Sequence, residues 1–481
     1  MAHRNHPSIQ VLGDKIFTEQ DQREFATASR DWNPMHVDAV AARRLLSGRQ
    51  VVHGIHTLIY ALNLWSRQRN VGYTSFACSF VNPVNVGDRV VFSQVNEADG
   101  RIRVVAAVDA LTCTTVVIEP HADAPLPAAP GHGPQQLRRR IGKLAAPLDE
   151  SPDFQTSGPI EIDSWTDSLA ATFPQAAELL GGIGLSAVAR LSFFVGMVCP
   201  GLHSVFSSVQ FTTGPVLADD LVFEVRKYEP RFGLYVIAFN GPVCGELRAF
   251  VRPPPQPQPG AREVAGRFDG REFSGSRSLV IGGSRGLGEV TAKILAAGGG
   301  DVIITYASGR DDAKAVAANI NANARGRCDI AQLDLTIARE NTFAIDSARL
   351  DAVYYFATPR IYAKHSELFD RGAFDEFAGF YLQRFYELCR LLERIERPKP
   401  VKVYLPSTVF IAERPKGMTE YAMAKAAAEV LADDLNRSLR NVIVLHSRLP
   451  RLATDQTASI LKAPVSSNLE AMLAVVRQMM D

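Results

Sequence analysis

The stretch Ser278–Gly299, SLVIGGSRGLGEVTAKILAAGG, sets the architecture of the C-terminal part of the chain. A short apolar run is followed by a glycine-rich turn and then by apolar residues at helical spacing, which predicts a buried strand, a tight turn and a helix. DVIITYA (301–307) supplies a second strand, and helical and β-branched runs alternate as far as NVIVLHSRLP (441–450). That alternation predicts a doubly wound parallel sheet. The turn brings bare backbone and a helix N-terminus to one point, where an anionic pyrophosphate is favoured. Gly282, Ser284, Arg285, Gly286, Leu287 and Gly288 are therefore candidate cofactor-binding residues.

Further along, YAMAK puts Tyr421 and Lys425 one helical turn apart on one face. With the glycine turn, this pair resembles the short-chain dehydrogenase/reductase family over roughly 276–460. The resemblance implies a Rossmann-like sheet and hydride transfer between a nicotinamide and a carbonyl carbon. Tyr421 would carry the proton, and Lys425 would be the cation that eases ionisation of its phenol. The carbonyl-polarising hydroxyl is expected at the end of VKVYLPST (401–408), where Ser407 is chosen over Thr408 on the strand-then-serine pattern. No acid ends the second strand: TYASGR offers Ser308 and Arg310, and Arg285 adds a second cation, which together favour NADP(H) over NAD. Asp334 in QLDL matches the family position near the adenine. Departures are YYFATP (354–359) at the fourth strand end, Tyr381 where the family has an asparagine, and Arg451 after Pro450. These bear on the proton relay rather than on cofactor binding.

Upstream, two proline-rich stretches, 121–158 and 253–275, read as connectors. They leave blocks at 1–120, 159–252 and 276–481. The first two look like copies of one design. FVNPVNVGDRVVF (80–92) is echoed by FTTGPVLADDLVF (211–223), with Asp88 and Asp219 at the same offset. Each block has a long apolar helical stretch before its strands: IHTLIYALNLW (55–65) and LSAVARLSFFVGMVC (185–199).

The first block contains DWNPMH (31–36), followed by VVHGIH (51–56). This string closely resembles the MaoC-like, R-specific enoyl-thioester hydratases of hotdog fold, over about the first 120 residues. Moving water across a Cα–Cβ bond needs a proton moved at each end, which a carboxylate and an imidazole can do. By resemblance Asp31 and His36 are that dyad and Asn33 fixes the loop. Gly54, at the mouth of the apolar helix, lets the thioester oxygen reach a backbone amide. The plain alternative is an Asx-type turn capping a helix, but the following histidines argue for catalysis. His53 reads as a packing or hydrogen-bonding residue and His56 as a helix residue. The second block has no copy of DWNPMH and is expected to be a degenerate hotdog without a second site.

The expected fold is therefore multidomain, α+β then α/β: an N-terminal double hotdog followed by the Rossmann-like sheet. A net charge of +1 gives no field for nucleic acid or membrane. The six cysteines are scattered singly, without metal-ligand spacing, and no apolar run reaches spanning length, so no metal and a cytoplasmic location are expected. Joined, the two chemistries would turn a 3-oxoacyl thioester, carried by CoA or by an acyl-carrier protein, into an enoyl thioester, as in fatty-acid or polyketide chain processing. The same pair run oxidatively, and a thioester-binding scaffold with one live site, are the alternatives. Both families self-associate, which implies a homo-oligomer.

Overall fold

The computed structural model describes residues 9–45, 48–67, 75–97, 99–119, 140–149, 157–162, 166–213, 220–268, 271–337, 349–361, 368–457 and 466–481. Most of the expected 121–158 connector and Asp219 lie outside these residues. The chain forms two compact units that part between Pro254 and Pro255.

The first unit is built on a ten-stranded sheet. Its strands are β1 (Ile9–Ile16), β2 (Ser75–Phe80), β3 (Arg89–Asn96), β4 (Ile102–Val108), β5 (Leu111–Glu119), β6 (Ser157–Glu161), β7 (Ser204–Thr213), β8 (Asp220–Glu229), β9 (Leu234–Asn240) and β10 (Val243–Val251). The order is β1-β3-β4-β5-β2-β7-β10-β9-β8-β6, so the second five strands repeat the first five in mirrored sequence. The halves meet where β2 pairs antiparallel with β7. The offset that carries Phe80 onto Phe211 also carries Cys78 onto Val209, and those two residues are partners in that pairing. A local two-fold axis therefore passes through the Cys78–Val209 pair.

Each half has a central helix without a polar face. Gly54–Ser66 in the first half buries Ile55, Leu58, Ile59, Leu62 and Trp65. Gly182–Phe193 in the second is buried on every side from Gly184 onward and continues into a single π-turn, Phe194–Val198. Helices apolar all round occur where packing covers them completely, and both belong to one continuous core. The first helix also caps a neighbour: buried Asn63 accepts, through Oδ1, from the backbone N–H groups of Gln175 (3.0 Å) and Ala176 (3.2 Å). These are orphan donors at the start of the helix Pro174–Leu180.

The second unit has the expected parallel sheet. Its strands are β11 (Arg277–Ile281), β12 (Asp301–Tyr306), β13 (Cys328–Gln332), β14 (Ala352–Tyr355), β15 (Val401–Thr408) and β16 (Val442–Leu449), in the order β13-β12-β11-β14-β15-β16. The order reverses between β11 and β14, and the crevice at that point is where such sheets take ligands.

One boundary differs from the sequence expectation. The described residues of the expected 253–275 connector are not loose, because apolar anchors interrupt the prolines: Ala261, Val264, Phe268 and Phe273 are buried in the core of the second unit. Gln256 N–H donates to Asp455 and Lys293 donates to the carbonyl of Pro259.

Replacing Asn63 by Ala leaves two helix-start N–H groups without their acceptor, and the first unit is expected to lose about 1–2 kcal/mol. A urea titration followed by tryptophan fluorescence, with Trp65 in that helix, measures it.

Candidate functional sites

In the first unit the helix Glu19–Ser29 is started by a reciprocal Thr18–Asp21 cap and stopped by Arg30 at φ 67°. The left-handed turn swings Asp31 into the interior, where it is 1% exposed. Asn33 accepts from Met35 N–H at 3.2 Å and so caps the helix Pro34–Val37. Its amide also donates across the unit to the carbonyl of Gly196 at 2.7 Å. The Asx-turn reading is thus met, and the same turn aims the loop that carries Asp31 and His36.

His36 Nδ1 lies 2.6 Å from the carbonyl of Val51. A carbonyl can only accept, so Nδ1 carries the hydrogen and Nε2 keeps a lone pair. His53 stacks on His36 at 3.9 Å between centroids, and its Nε2 donates to the backbone carbonyl of Asp31 at 3.0 Å. One carboxylate oxygen of Asp31 and one ring nitrogen each of His36 and His53 lie within 4.8 Å of one another. A single water or hydroxyl can touch both members of the Asp31–His36 pair. Burial pushes the Asp31 carboxyl up, opposed chiefly by His36, and pushes His36 down, opposed chiefly by Asp31. Both shifts favour the uncharged pair, a carboxylic acid beside a neutral imidazole.

Gly54 is the first residue of the central helix, as expected, and a Cβ there would meet the Phe80 ring at 3.0 Å. Three residues absent from the sequence expectation complete the site, all from the second half. Ser192 donates to Asp31 Oδ2 at 2.6 Å. Gly196 lies so close that a Cβ would sit 2.3 Å from Asp31 Oδ1. Arg190 is fully buried, bonded to the carbonyls of Ser29, Gly142 and Glu161, and its charge acts on Asp31.

In the second unit one cleft is lined by Gly282, Ser284–Gly288, Asp334, Thr408, Tyr421 and Lys425. The glycine turn needs its glycines. Gly282 and Gly286 have φ of 80° and 59°, and a Cβ on Gly288 would stand 2.3 Å from the carbonyl of Gly282. The cradle fits a pyrophosphate at the N-terminus of the helix Gly286–Ala297. Arg285 lines it beside Asp455, at 3.5 Å. Ser308 and Arg310 are exposed and stand outside the lining, which at this strand end is Thr305, Tyr306 and Ala307. Arg310 instead opens the helix Arg310–Asn323.

Tyr421 and Lys425 share the helix Thr419–Ser438. Lys425 Nζ donates to the carbonyl of Pro406 at 2.7 Å and lies 3.7 Å over the ring of Tyr381. Burial pulls its ammonium down to about 7. Tyr381 sits in a second π-turn, Gly379–Arg384, and its phenol meets the Thr358 hydroxyl. Tyr421 is pushed up to about 12 by burial, against a hydrogen bond with Thr408. The expected choice of Ser407 is therefore corrected: its hydroxyl donates to Glu429 at 2.5 Å, and Glu429 is held bidentate by Arg448. Thr408 presents the hydroxyl to Tyr421.

Family comparison identifies both domains. A MaoC-like domain model matches residues 4–117, and a short-chain dehydrogenase model matches residues 277–464. The chain is a MaoC-like domain fused to a short-chain dehydrogenase/reductase domain. Over 78 residues the chain is 28% identical to a mitochondrial 3-hydroxyacyl-[acyl-carrier-protein] dehydratase of Arabidopsis thaliana, covering 16% of this chain and 47% of that protein. The chain thus spans about half the length of that relative. Solved structures similar to part of the chain include FolM alternative dihydrofolate reductase 1 from Brucella canis complexed with NADP (18% identity, 43% of this chain and 88% of that one, TM-score 0.37). Another is the Pseudomonas aeruginosa RhlG/NADP active-site complex (22% identity, 38% and 75%, TM-score 0.34).

His56 stacks on Phe25 at 4.5 Å in the MaoC-like core, and burial pushes it down to about 3. It stays neutral in the fold while an unfolded chain protonates near its ordinary 6.5. Stability linked to it is complete above that pH and is lost as pH falls from about 6.5 towards 3. Replacing His56 by Leu is expected to shrink the difference in unfolding midpoint between pH 7.5 and pH 5, measured by denaturant titration at both.

Proposed function

We propose that this chain is a bifunctional enzyme of fatty-acid or polyketide-type biosynthesis. Its dehydrogenase domain reduces a 3-oxoacyl thioester with NADPH, and its MaoC-like domain removes water from the resulting (R)-3-hydroxyacyl thioester. The observation that carries this reading is the Asp31–His36 pair in one domain alongside the Thr408–Tyr421–Lys425 set in the other, because the product of the second is the substrate of the first. The acyl group is carried on CoA or on an acyl-carrier protein, and the chain works as a homo-oligomer. The mirrored strand order supports reading the N-terminal unit as a double hotdog whose second half has lost its own catalytic loop.

In the dehydrogenase domain, a bound NADPH supplies the hydride for the carbonyl carbon. The chain's own groups handle the oxygen. Thr408 donates to it and polarises the carbonyl, and Tyr421 delivers the proton. The phenolate left on Tyr421 is stabilised by Lys425, held in place by the Pro406 carbonyl and the Tyr381 ring face. Preference for NADP(H) rests on the missing acid after β12 and on Arg285 in the cradle, and it agrees with the cofactors in the similar solved structures.

In the MaoC-like domain, the lone pair on His36 Nε2 takes the proton from C2. The C2=C3 bond forms as the C3–O bond breaks, and Asp31 gives its proton to the departing hydroxyl, which leaves as water. The uncharged pair favoured by burial is the form this direction needs. The Gly54 N–H at the helix start is positioned to receive the thioester oxygen as it gains enolate character.

Incubating the purified protein with a short 3-oxoacyl thioester and NADPH, with products read by mass spectrometry, tests this. The enoyl thioester is expected. Asp31→Asn should stop the sequence at the 3-hydroxyacyl compound, and Tyr421→Phe should abolish NADPH oxidation. Thr408→Val should slow reduction by roughly 100-fold, while Ser407→Ala leaves the rate within about threefold. Recovery of unreacted substrate from the unaltered protein would overturn the reading.

A further inference from the structure

The second half of the MaoC-like unit has no catalytic string of its own, yet it donates a hydrogen bond to the Asp31 carboxyl. Oδ1 accepts from the Asn33 N–H at 3.2 Å, and Oδ2 accepts from Ser192 at 2.6 Å. Ser192 is 4% exposed and stands on the buried helix Gly182–Phe193, which also carries Ser186 and Arg190. A hydroxyl has one hydrogen, and a helical serine can always give it to the carbonyl one turn back; here it goes to a side chain 161 positions away.

The helix is shaped for this contact. The π-turn at Phe194–Val198 follows directly, and its Gly196 presents a backbone against Asp31 with no room for even a methyl group. The same residue's carbonyl takes the Asn33 amide at 2.7 Å. Two successive turns of the second half therefore clamp the loop that carries Asp31.

We propose that Ser192 is a positioning residue of the dehydration site, holding Asp31 Oδ2 and stabilising the carboxylate left when Asp31 has given its proton to the departing hydroxyl. The degenerate half thus serves as the wall against which the catalytic acid ionises. This rests on the dehydratase reading above and adds a residue to it. The other charged or titratable groups facing Asp31 are His36 from its own loop, His53 from the head of the first central helix, with Nε2 3.9 Å from Oδ2, and Arg190 from the same helix as Ser192. Removing the Ser192 hydroxyl leaves all three in place, so its effect is separable from theirs.

Two measurements on the full-length protein test the proposal. Carboxyl titration by infrared difference spectroscopy with ¹³C-labelled aspartate, assigned by comparison with Asp31→Asn, follows the Asp31 ionisation without any turnover. In Ser192→Ala the Asp31 band is expected to titrate about one pH unit higher or more. The limb of the dehydration pH–rate profile that coincides with this titration should move with it, and turnover should fall about tenfold or more. Ser192→Thr, which keeps a hydroxyl, should restore both. An Asp31 titration unchanged in Ser192→Ala would overturn the proposal, as would a Thr variant that folds like the parent yet titrates like the Ala variant. If the unaltered protein shows no dehydration at all, the functional reading fails, while the infrared titration still decides the role of Ser192.

Discussion

Burial of one carboxyl group organises the N-terminal half of this protein. Asp31 is removed from water almost completely, and a group in that position must be met by hydrogen-bond partners at each oxygen. One donor comes from its own loop and the other from the far half, so the site exists only when both halves are docked. The β2–β7 pairing brings them together: it fuses two five-stranded sheets into one and puts the two apolar central helices in a single core. The absence of a polar face on either helix follows from the same constraint, since each must be covered by the other half as well as by its own strands.

Much of this was legible in the sequence, and the failures have physical causes. DWNPMH, the glycine turn and YAMAK could be read because each keeps its functional groups within a few residues, where spacing fixes geometry. The hydroxyl at the end of β15 could not be chosen reliably from pattern, because consecutive strand residues point to opposite sides and one position of phase decides the outcome. Ser407 is opposite Arg448 in the β15–β16 register and joins its ion pair, which leaves Thr408 for Tyr421. Ser192 and Gly196 were invisible for another reason: in a mostly apolar, buried helix, small residues carry no signal until the packing partner is known. The 255–275 segment misled through its prolines, which describe its backbone but not the four apolar side chains that pin it down.

The two domains share one local device. Each site is walled by a helix that widens for one turn, at Phe194–Val198 and at Gly379–Arg384. A π-turn inserts a residue into the helical repeat and changes which side chains and carbonyls face inward, and such turns are frequent at functional sites. In the first case the widened turn offers Gly196 to Asp31 and Asn33. In the second it carries Tyr381, whose ring face lies under Lys425 in the position where the family has an asparagine. An ammonium held against an aromatic face and a single carbonyl has fewer hydrogen-bonding neighbours than one held by polar side chains, in keeping with the low value to which burial brings Lys425.

The local two-fold axis through Cys78 and Val209 has a consequence for concentration. An enzyme whose site needs two copies of a fold loses activity when diluted below the dissociation constant of its dimer. Here both halves of the ten-stranded sheet are in one polypeptide, so dilution cannot part them. That freedom also relaxes the demand for symmetry: one half can carry the Asp31 loop while the other supports it, since neither has to do both at once.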